Sequence, residues 1–294
     1  MIAEPGLELL HDEQATLGEG PAWDHRQGLL YWVDIIGKRV HLYNPKLRSN
    51  RTIQLEQLVG AAVPRKEGGL VLAMQNGLHL LDLETEQVRF LVDPEQDQPG
   101  NRFNDGKCDS AGRFWAGTMD MKEEAPRGSL YCLEPDGTLH KKISGVTTSN
   151  GMGWSPDDRI MYYIDSPTRK VSAFDFELST GVISNGRTLF TIPEGEGFPD
   201  GMTVDAEGML WVAQWDGWQV SRWNPATGER IGQIRLPVAR VTSCTFGGDN
   251  DDELYITTAR IGLSEQELAE QPHAGGLFRI RPGVKGRATS FYGG

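Results

Sequence analysis

The sequence predicts an all-β fold, a six-bladed β-propeller with four-stranded blades, and three observations support this prediction. The chain of 294 residues contains 36 glycines and 16 prolines, a density of turn residues that long helices do not tolerate. One module of strands and turns recurs with a period of about 40 to 48 residues, which is the period of propeller blades. About six copies fill the chain, so we expect a single domain over residues 1–294. The turn density excludes a helical solenoid; a two-sheet sandwich is not strictly excluded, but it gives such a period no natural place.

Each module consists of a short apolar strand, a turn of the Asp/Gly type, a second strand of aromatic and β-branched residues, and a third strand. Large side chains hold equivalent positions in the second strands: Trp32, Leu72, Trp115, Tyr163, Trp211 and Tyr255. We interpret the aromatic ones as core between blades rather than as a platform for sugars. The innermost strands are predicted at 21–23, 61–63, 106–108, 152–154, the start of 198–217, and 243–246.

Outer fourth strands are predicted at 51–55 and 187–190, but the sixth module has no evident one, because the chain after Ile280 reads Arg-Pro-Gly. We expect the N-terminal segment 7–10 to pair there, which closes the ring and removes the free sheet edges. The one helix-like segment is 264–270, where Ser264 and Glu267 have the spacing of a capping box.

Composition narrows the class of partner and compartment. A net charge of −12 argues against nucleic acid and against anionic membrane surfaces as partners. The three cysteines are widely spaced without a CxxC pair, which indicates reduced thiols in a cytoplasmic protein. The first residues lack the basic and apolar regions of a signal peptide, and no apolar run approaches the ~18 residues of a membrane span.

Polar residues precede the innermost strands of four modules at matching positions: Glu19, Asn104, Asn150 and Asp200. The second and sixth modules have Val59-Gly-Ala and Thr242-Ser-Cys there, with no carboxylate or amide. Because equivalent strand ends rim the same mouth of a propeller's channel, we expect the four side chains to converge. Carboxylate and amide oxygens suit a hard cation such as Ca²⁺, Mg²⁺ or Mn²⁺, with positions left open for water.

These residues also admit purely structural interpretations. A single Asn-Gly or Asp-Gly pair is more often a turn than a ligand, and only the repetition at equivalent positions favours a site. The acidic turns at Asp109, Asp157 and Asp205 are expected to be hairpin turns on the opposite side. Trp215 and Trp218, predicted to lie in a loop, are candidates for a substrate wall. Nucleophile-elbow, zinc-protease and phosphate-loop motifs are absent from the sequence, and the six histidines are placed as surface or structural residues.

Several motifs together resemble the SMP-30/gluconolactonase family of sugar lactonases over essentially the whole chain. They are Gly18-Glu-Gly-Pro-Ala-Trp23, Asn101-Arg-Phe-Asn-Asp-Gly-Lys107, Phe114-Trp-Ala-Gly-Thr-Met119, Ser149-Asn-Gly-Met-Gly-Trp154, Pro199-Asp-Gly-Met202 and Thr242-Ser-Cys-Thr-Phe-Gly-Gly248. The resemblance implies a six-bladed propeller that holds one divalent metal ion in the channel mouth and hydrolyses aldonolactones to aldonic acids. The metal would be Ca²⁺ in the first place, with Zn²⁺, Mn²⁺ and Fe²⁺ also associated with such sites.

The resemblance also implies roles for individual residues. Glu19, Asn150 and Asp200 would be the metal ligands, and Asp200 would double as the general base. Arg102 and Asn104 would bind the substrate, a small-molecule sugar lactone, in a protein that is a monomer or a weak homo-oligomer.

One loop departs from the family pattern. Residues 120–128 form a shorter loop than in animal members, and Lys122 takes the ungapped position of an acidic substrate contact, which leaves the sugar preference open. Two other classes of function are compatible with the motifs: a phosphotriesterase-like hydrolase and a non-enzymatic calcium-binding propeller.

Overall fold

The computed structural model describes residues 4–294 and confirms the predicted six-bladed β-propeller, because its strands form six separate four-stranded antiparallel sheets. Strand β1 (Glu8–His11) belongs to the last blade. The first three blades, each given from the channel outward, are β2 (Gly18–Asp24), β3 (Leu29–Asp34), β4 (Arg39–Asn44), β5 (Ser49–Gln54); β6 (Val59–Pro64), β7 (Leu70–Met74), β8 (Gly77–Leu81), β9 (Val88–Val92); and β10 (Asn101–Cys108), β11 (Phe114–Asp120), β12 (Gly128–Leu133), β13 (Leu139–Val146).

The other three blades follow the same order. They are β14 (Ser149–Trp154), β15 (Ile160–Asp165), β16 (Lys170–Glu177), β17 (Val182–Thr191); β18 (Phe198–Val204), β19 (Leu210–Trp215), β20 (Gln219–Asn224), β21 (Glu229–Arg235); and β22 (Val241–Gly247), β23 (Glu253–Thr258), β24 (Leu277–Ile280), completed by β1. Neighbouring innermost strands contact each other all the way round, and β22 contacts β2. The sheets therefore stand in a closed ring around a central channel.

The ring is closed as predicted, by the N-terminal strand. Strand β1 pairs antiparallel with β24, with Leu9 opposite Phe278. The Arg279 guanidinium donates to Glu8 at 2.7 Å and to the buried Glu253 at 3.2 Å, so an ion-pair network ties the first strand to the last blade. One sheet of the ring is thus built from both ends of the chain, and its outer edge is covered.

The hydrophobic core lies between the blades. Six clusters of buried residues each join two adjacent blades around the ring. The second-strand residues that carry the sequence period are all buried: Trp32, Leu72, Trp115, Tyr163, Trp211 and Tyr255. The indole N–H groups of Trp115 and Trp211 donate to Asp109 and Asp205, each at 2.9 Å. These aspartates lie in first hairpin turns, as predicted, and their carboxylates satisfy buried donors.

A segment from 284 to 294 crosses the channel end that holds these hairpin turns. Its backbone bonds to the turns of four blades: Gly286 N–H to Asp251 O at 2.7 Å, Ala206 N–H to Lys285 O at 2.9 Å, Tyr292 N–H to Pro64 O at 2.9 Å and Gly293 N–H to Gly112 O at 2.9 Å. The Arg287 guanidinium donates to Ser155 O of the fourth blade at 2.9 Å. The Phe291 ring stacks on His25 of the first blade, with ring centres 4.8 Å apart. The segment therefore touches all six blades.

The remaining predictions on the fold concern the helix and the cysteines. Helix α1 (Glu265–Glu270) begins with the predicted capping box between Ser264 and Glu267. Cys108, Cys132 and Cys244 are buried and unpaired. Within residues 4–294, no helix is long and apolar enough to cross a membrane.

A buried histidine in the first blade makes stability depend on pH. The His41 ring is fully buried, stacks on Trp32 at 4.2 Å, and lies 3.0 Å from Thr52 Oγ1. Burial lowers the pKa of His41 from 6.5 to about 4, so the unfolded chain takes up the proton first. This stabilisation is complete above about pH 6.5 and is lost as the pH falls toward 4. We expect it to contribute about 2 kcal/mol to the loss of unfolding free energy between pH 7 and pH 5.

Urea unfolding of the parent protein and of His41→Gln at both pH values tests this expectation. The variant should lose less unfolding free energy on acidification than the parent, whatever its stability at pH 7. An equal loss in both proteins would show that His41 does not set the pH dependence.

Candidate metal and substrate site

All six innermost strands have an irregular register near the same end of the channel. The shifts lie at Glu19/Ala22, Val59/Ala61, Phe103/Asp105, Ser149/Met152, Pro199/Met202 and Val241/Ser243. A β-bulge bends its strand and changes the direction in which a side chain points. In four blades the residue at the shift is the polar one singled out in the sequence, and Glu19, Asn104, Asn150 and Asp200 all line one cavity of about 650 Å³. The predicted convergence of these side chains is therefore present.

Glycines at these irregular positions of the innermost strands serve close packing and not hairpin turns. A Cβ on Gly151 would lie 2.6 Å from Asp200 O, and one on Gly60 would lie 2.6 Å from Phe103 O. Both glycines occur within innermost strands, where the backbones of adjacent blades approach each other. The pair Asn150-Gly151 therefore lies in a strand irregularity where two backbones approach closely, and it is not a hairpin turn.

Two carboxyl groups are held together at the floor of the cavity. Glu19 and Asp200 are 4% and 5% exposed, and the Asp200 carboxyl lies beside the Glu19 carboxyl and the Asn150 amide. Burial raises the pKa of Glu19, and repulsion from Asp200 and Asp105 raises it further. Burial likewise raises the pKa of Asp200, with repulsion from Asp105 as the next cause. A cation bound between the two carboxylates would offset both effects.

The Asn150 amide is oriented by a short chain of hydrogen bonds. Its Nδ2 donates to Ser166 Oγ at 2.9 Å, and Ser166 Oγ donates to Pro199 O at 2.6 Å. This arrangement turns Oδ1 the other way, where it is buried without a hydrogen-bond partner among the described residues. An unpaired buried acceptor is costly in a native structure. Together with the Glu19 and Asp200 carboxylates, which line the same cavity, it gives an oxygen donor set that suits a hard divalent cation.

Arg102 and Asn104 lie together at the same floor. Arg102 Nη1 donates to Asn104 Oδ1 at 2.7 Å and to Phe103 O at 3.0 Å, and Asn104 Nδ2 donates to Ser149 O at 2.8 Å. Burial lowers the pKa of Arg102 to about 10, against the attraction of Glu19, Glu123 and Asp200. Both ends of the Asn104 amide are thus engaged with protein groups. Asn104 holds Arg102 in place, a relationship that sequence spacing did not reveal.

The channel also contains a charged pair whose position the sequence did not reveal. Asp105 is buried, and Lys107, deep in the same strand, donates from Nζ to Met202 O at 2.6 Å. Burial raises the pKa of Asp105, while the Lys107 ammonium lowers it. Both residues line a smaller cavity of about 90 Å³ at the far end of the channel, which shares no lining residue with the site cavity. The signal was present in the sequence, since charged residues within a predicted innermost strand are unusual.

The loops around the cavity place other residues that the sequence left open. Glu123 lines the cavity and lies near Arg102, whereas Lys122 is exposed and absent from the lining. The structure thus offers an acidic group one residue beyond the ungapped position. Of the two tryptophans considered for a substrate wall, Trp215 lines the cavity and Trp218 does not; Trp215 is the last residue of β19 and not a loop residue.

Removing the Ser166 hydroxyl tests whether the orientation of Asn150 matters. With Ser166→Ala the amide loses the partner that fixes its Oδ1, and we expect metal affinity to fall about 10- to 100-fold. Isothermal titration of the metal-free protein with Ca²⁺ or Mn²⁺ measures this. Thr168→Ala, in the same 3₁₀ turn, removes a hydroxyl that bonds to Asp165 O at 2.6 Å and should leave the affinity unchanged. Equal affinities of Ser166→Ala and the parent would contradict the proposed orientation.

Fold and site together define the class: a six-bladed β-propeller with a buried carboxylate and amide site at one mouth of its channel. The family model for the SMP-30/Gluconolactonase/LRE-like region matches residues 17–260. The chain therefore belongs to this family of sugar lactone lactonases and gluconolactonases.

Individual relatives extend the match to nearly the whole chain. Regucalcin of Xenopus laevis is 42% identical over 294 residues, which is 98% of each chain. YvrE of Bacillus subtilis (strain 168), whose name describes it provisionally as a sugar lactone lactonase, is 41% identical over 267 residues, which is 91% of each chain. The crystal structure of a calcium-binding protein, regucalcin, from Agrobacterium tumefaciens strain C58 superimposes with a TM-score of 0.93 at 27% identity, covering 98% of this chain and 97% of that one.

Proposed function

We propose that the protein is a divalent-metal-dependent lactonase that hydrolyses a sugar lactone, such as a gluconolactone, to the aldonic acid. The observation that carries this proposal is the buried, unpartnered Oδ1 of Asn150, a residue that lines the same open cavity as the Glu19 and Asp200 carboxylates. Membership of the gluconolactonase family supports the hydrolytic reaction, and the calcium-binding description of one structural relative supports a metal.

Glu19, Asn150 and Asp200 would hold the metal ion, with Ca²⁺ as the first expectation and Zn²⁺, Mn²⁺ or Fe²⁺ as alternatives. When bound, such an ion polarises the lactone carbonyl and stabilises the negative charge that develops on its oxygen. Three oxygen donors leave room for water and substrate beside them.

The chain's own residues supply proton transfer and orientation. Asp200 would accept a proton from the water whose oxygen attacks the carbonyl carbon, since its carboxylate lies at the floor of the cavity where the lactone binds. As the bond between that carbon and the ring oxygen breaks, the ring oxygen receives the proton and becomes the hydroxyl of the product. Arg102, held by Asn104, presents paired donors to substrate oxygens. The partner is then a small molecule, and the protein acts as a monomer or weak homo-oligomer.

Acid release from D-glucono-δ-lactone, followed by pH-stat, tests the proposal. Protein stripped with EDTA should release no acid above the spontaneous rate, and adding back Ca²⁺, Zn²⁺ or Mn²⁺ separately should restore release and identify the working ion. Undiminished activity of a preparation shown by elemental analysis to be metal-free would contradict metal dependence. Tight metal binding without turnover of any lactone or other ester would favour a non-enzymatic calcium-binding propeller. Faster turnover of an organophosphate triester than of lactones would favour a phosphotriesterase-like enzyme.

A further inference from the structure

The site cavity has a polar floor and an apolar rim. Its floor consists of buried polar residues, each at most 7% exposed: Glu19, Arg102, Asn104, Asn150 and Asp200. Around the opening, every blade or the connection leading into it contributes an apolar side chain to the lining: Ile36, Leu58, Met121, Pro167, Trp215 and Ile261. The rim therefore recurs around the ring and is not an isolated exposed residue.

The position of the rim follows from the propeller itself. Ile36, Met121, Pro167 and Ile261 lie in the connections that follow second strands, which all open on the site side. In the second blade this connection is only Gln75-Asn76, and Leu58, just before the blade's first strand, supplies the apolar group instead. Five blades thus supply the apolar residue from the same loop or from the strand end that leads into it. The second blade supplies it from the connection that precedes its first strand.

Parts of the rim are exposed, and two aromatic residues of the lining, Trp215 of the rim and Phe198 at the start of β18 beside it, are held in place. Ile36 is 38% exposed, Met121 is 39% and Phe198 is 40%, although each could have been polar at no cost to the core. The Arg169 guanidinium lies 4.5 Å from the Phe198 ring centre, and that of Arg240 lies 4.8 Å from the Trp215 ring centre. Contiguous apolar surface beside a polar site is typical of a binding pocket. Aromatic side chains fixed by stacked cations present that surface with little loss of conformational entropy on binding.

A polyhydroxylated sugar ring alone does not account for this lining. Such a ring carries hydroxyl groups all round and requires hydrogen-bond partners on every side, because unpaired polar groups are costly to bury. Beyond the floor, the polar side chains in the described lining are Glu123, Arg240, Thr147, Thr148 and Ser166, and the last three all belong to the fourth blade or to the connection leading into it. Arg240 already donates to Asp216 at 3.1 Å and Ser166 to Pro199 O at 2.6 Å, so hydrogen-bond partners are concentrated on one side of the cavity. The cavity of about 650 Å³ falls within the range that holds drug-sized ligands, about 300 to 1,000 Å³.

From these observations we infer that the preferred substrate is a lactone bearing an alkyl or aryl substituent, whose ester group sits at the polar floor while the substituent lies along the apolar rim. This inference rests on the proposed lactonase function and keeps its reaction and its site, but it makes a less polar lactone, and not the gluconolactone, the preferred substrate. The reaction is unchanged: water adds to the carbonyl carbon, the ring C–O bond breaks, and the substituent takes no part in the chemistry. Burial of the substituent supplies binding energy remote from the reacting bond.

A graded series of substrates tests the inference on the metal-loaded protein. The series is δ-valerolactone, δ-hexalactone, δ-octalactone and δ-decalactone, which differ only in the alkyl chain, together with D-glucono-δ-lactone as the polar comparison. Relative to δ-valerolactone, kcat/KM should rise about two- to fourfold for each methylene added until the chain spans the rim. The decalactone should exceed the gluconolactone.

Rim variants connect this rise to the named residues. The double variant Ile36→Ser/Met121→Ser should flatten the rise, with each rate taken relative to δ-valerolactone on the same variant. Leu47→Ser changes a 74% exposed leucine in the turn between β4 and β5, away from the cavity, and should keep the full rise. A rise that persists undiminished in the double variant overturns the assignment to the rim.

The remaining outcomes separate this inference from the proposed function. Hydrolysis of the gluconolactone with no gain along the alkyl series overturns the inference and leaves the lactonase proposal standing. Failure to hydrolyse any lactone with any of the ions overturns both.

Discussion

Replacing Asp200 with asparagine is expected to lower kcat/KM for lactone hydrolysis by about 10²- to 10⁴-fold, the usual contribution of a general base. Asparagine has nearly the same shape and keeps an oxygen for the metal, but it cannot accept the proton of the attacking water. The loss should therefore fall on kcat at saturating metal, and not only on metal affinity. Because Asp200 is buried beside Glu19 and Asn150, bases in the bulk solvent have little access to the site and cannot take over the role of proton acceptor.

The experiment requires metal occupancy to be measured on the same samples, by elemental analysis, so that loss of the base is separated from loss of the ion. Asp249→Asn is a matched control, since Asp249 pairs with Lys46 on the surface and its side chain is 69% exposed. It should retain parental activity. Near-parental activity of Asp200→Asn at full occupancy would mean that another group takes the proton.

Truncating Trp115 should have the largest effect on stability, a loss of about 3 to 5 kcal/mol of unfolding free energy. The side chain is fully buried between the third and fourth blades, and its ring meets those of Trp154 and Phe176 edge to face, each with centres 6.0 Å apart. Its indole N–H also donates to the buried Asp109 at 2.9 Å. Trp115→Ala leaves a cavity and removes one donor from that carboxylate.

Trp115→Phe separates the loss of packing from the loss of the hydrogen bond, because phenylalanine keeps most of the packing but has no N–H donor. We expect it to cost about 1 to 2 kcal/mol, well below the alanine variant. Urea unfolding followed by far-UV circular dichroism measures both. A loss under about 1 kcal/mol for the alanine variant would show that the interface between these blades repacks around the gap.

The sequence was sufficient to predict the fold and the convergence of four residues, for one physical reason. A repeated module buries its core against its neighbours, so the aromatic period at Trp32, Trp115 and Trp211 reports blade geometry directly. Once blades are equivalent, Glu19 and Asp200, 181 positions apart, must lie at the same mouth. Their roles as metal ligands and base remain predictions, which the variants above examine.

Features that depend on individual tertiary contacts escaped the sequence. Ser166 acts on Asn150 through a bond that spans two strands and a 3₁₀ turn, and Lys107 reaches Met202 O from 95 positions away. Neither relationship has a periodic signature. The short loop at 120–128 is a similar case, because the count of residues pointed to Lys122 while the bend of the backbone presents Glu123. Local backbone geometry, which spacing does not encode, decided which of the two faces the cavity.

The segment 284–294 and the separate cavities also bear on the route by which product leaves the site. The far end of the channel is crossed by a segment that contacts all six blades, and the small cavity there shares no lining residue with the site cavity, so among the described residues the site opens at the other end of the channel. Product must leave through the opening by which substrate arrives. If the proposed hydrolysis takes place there, the acid product occupies the position that the next substrate requires, and it should act as a competitive inhibitor of its own formation.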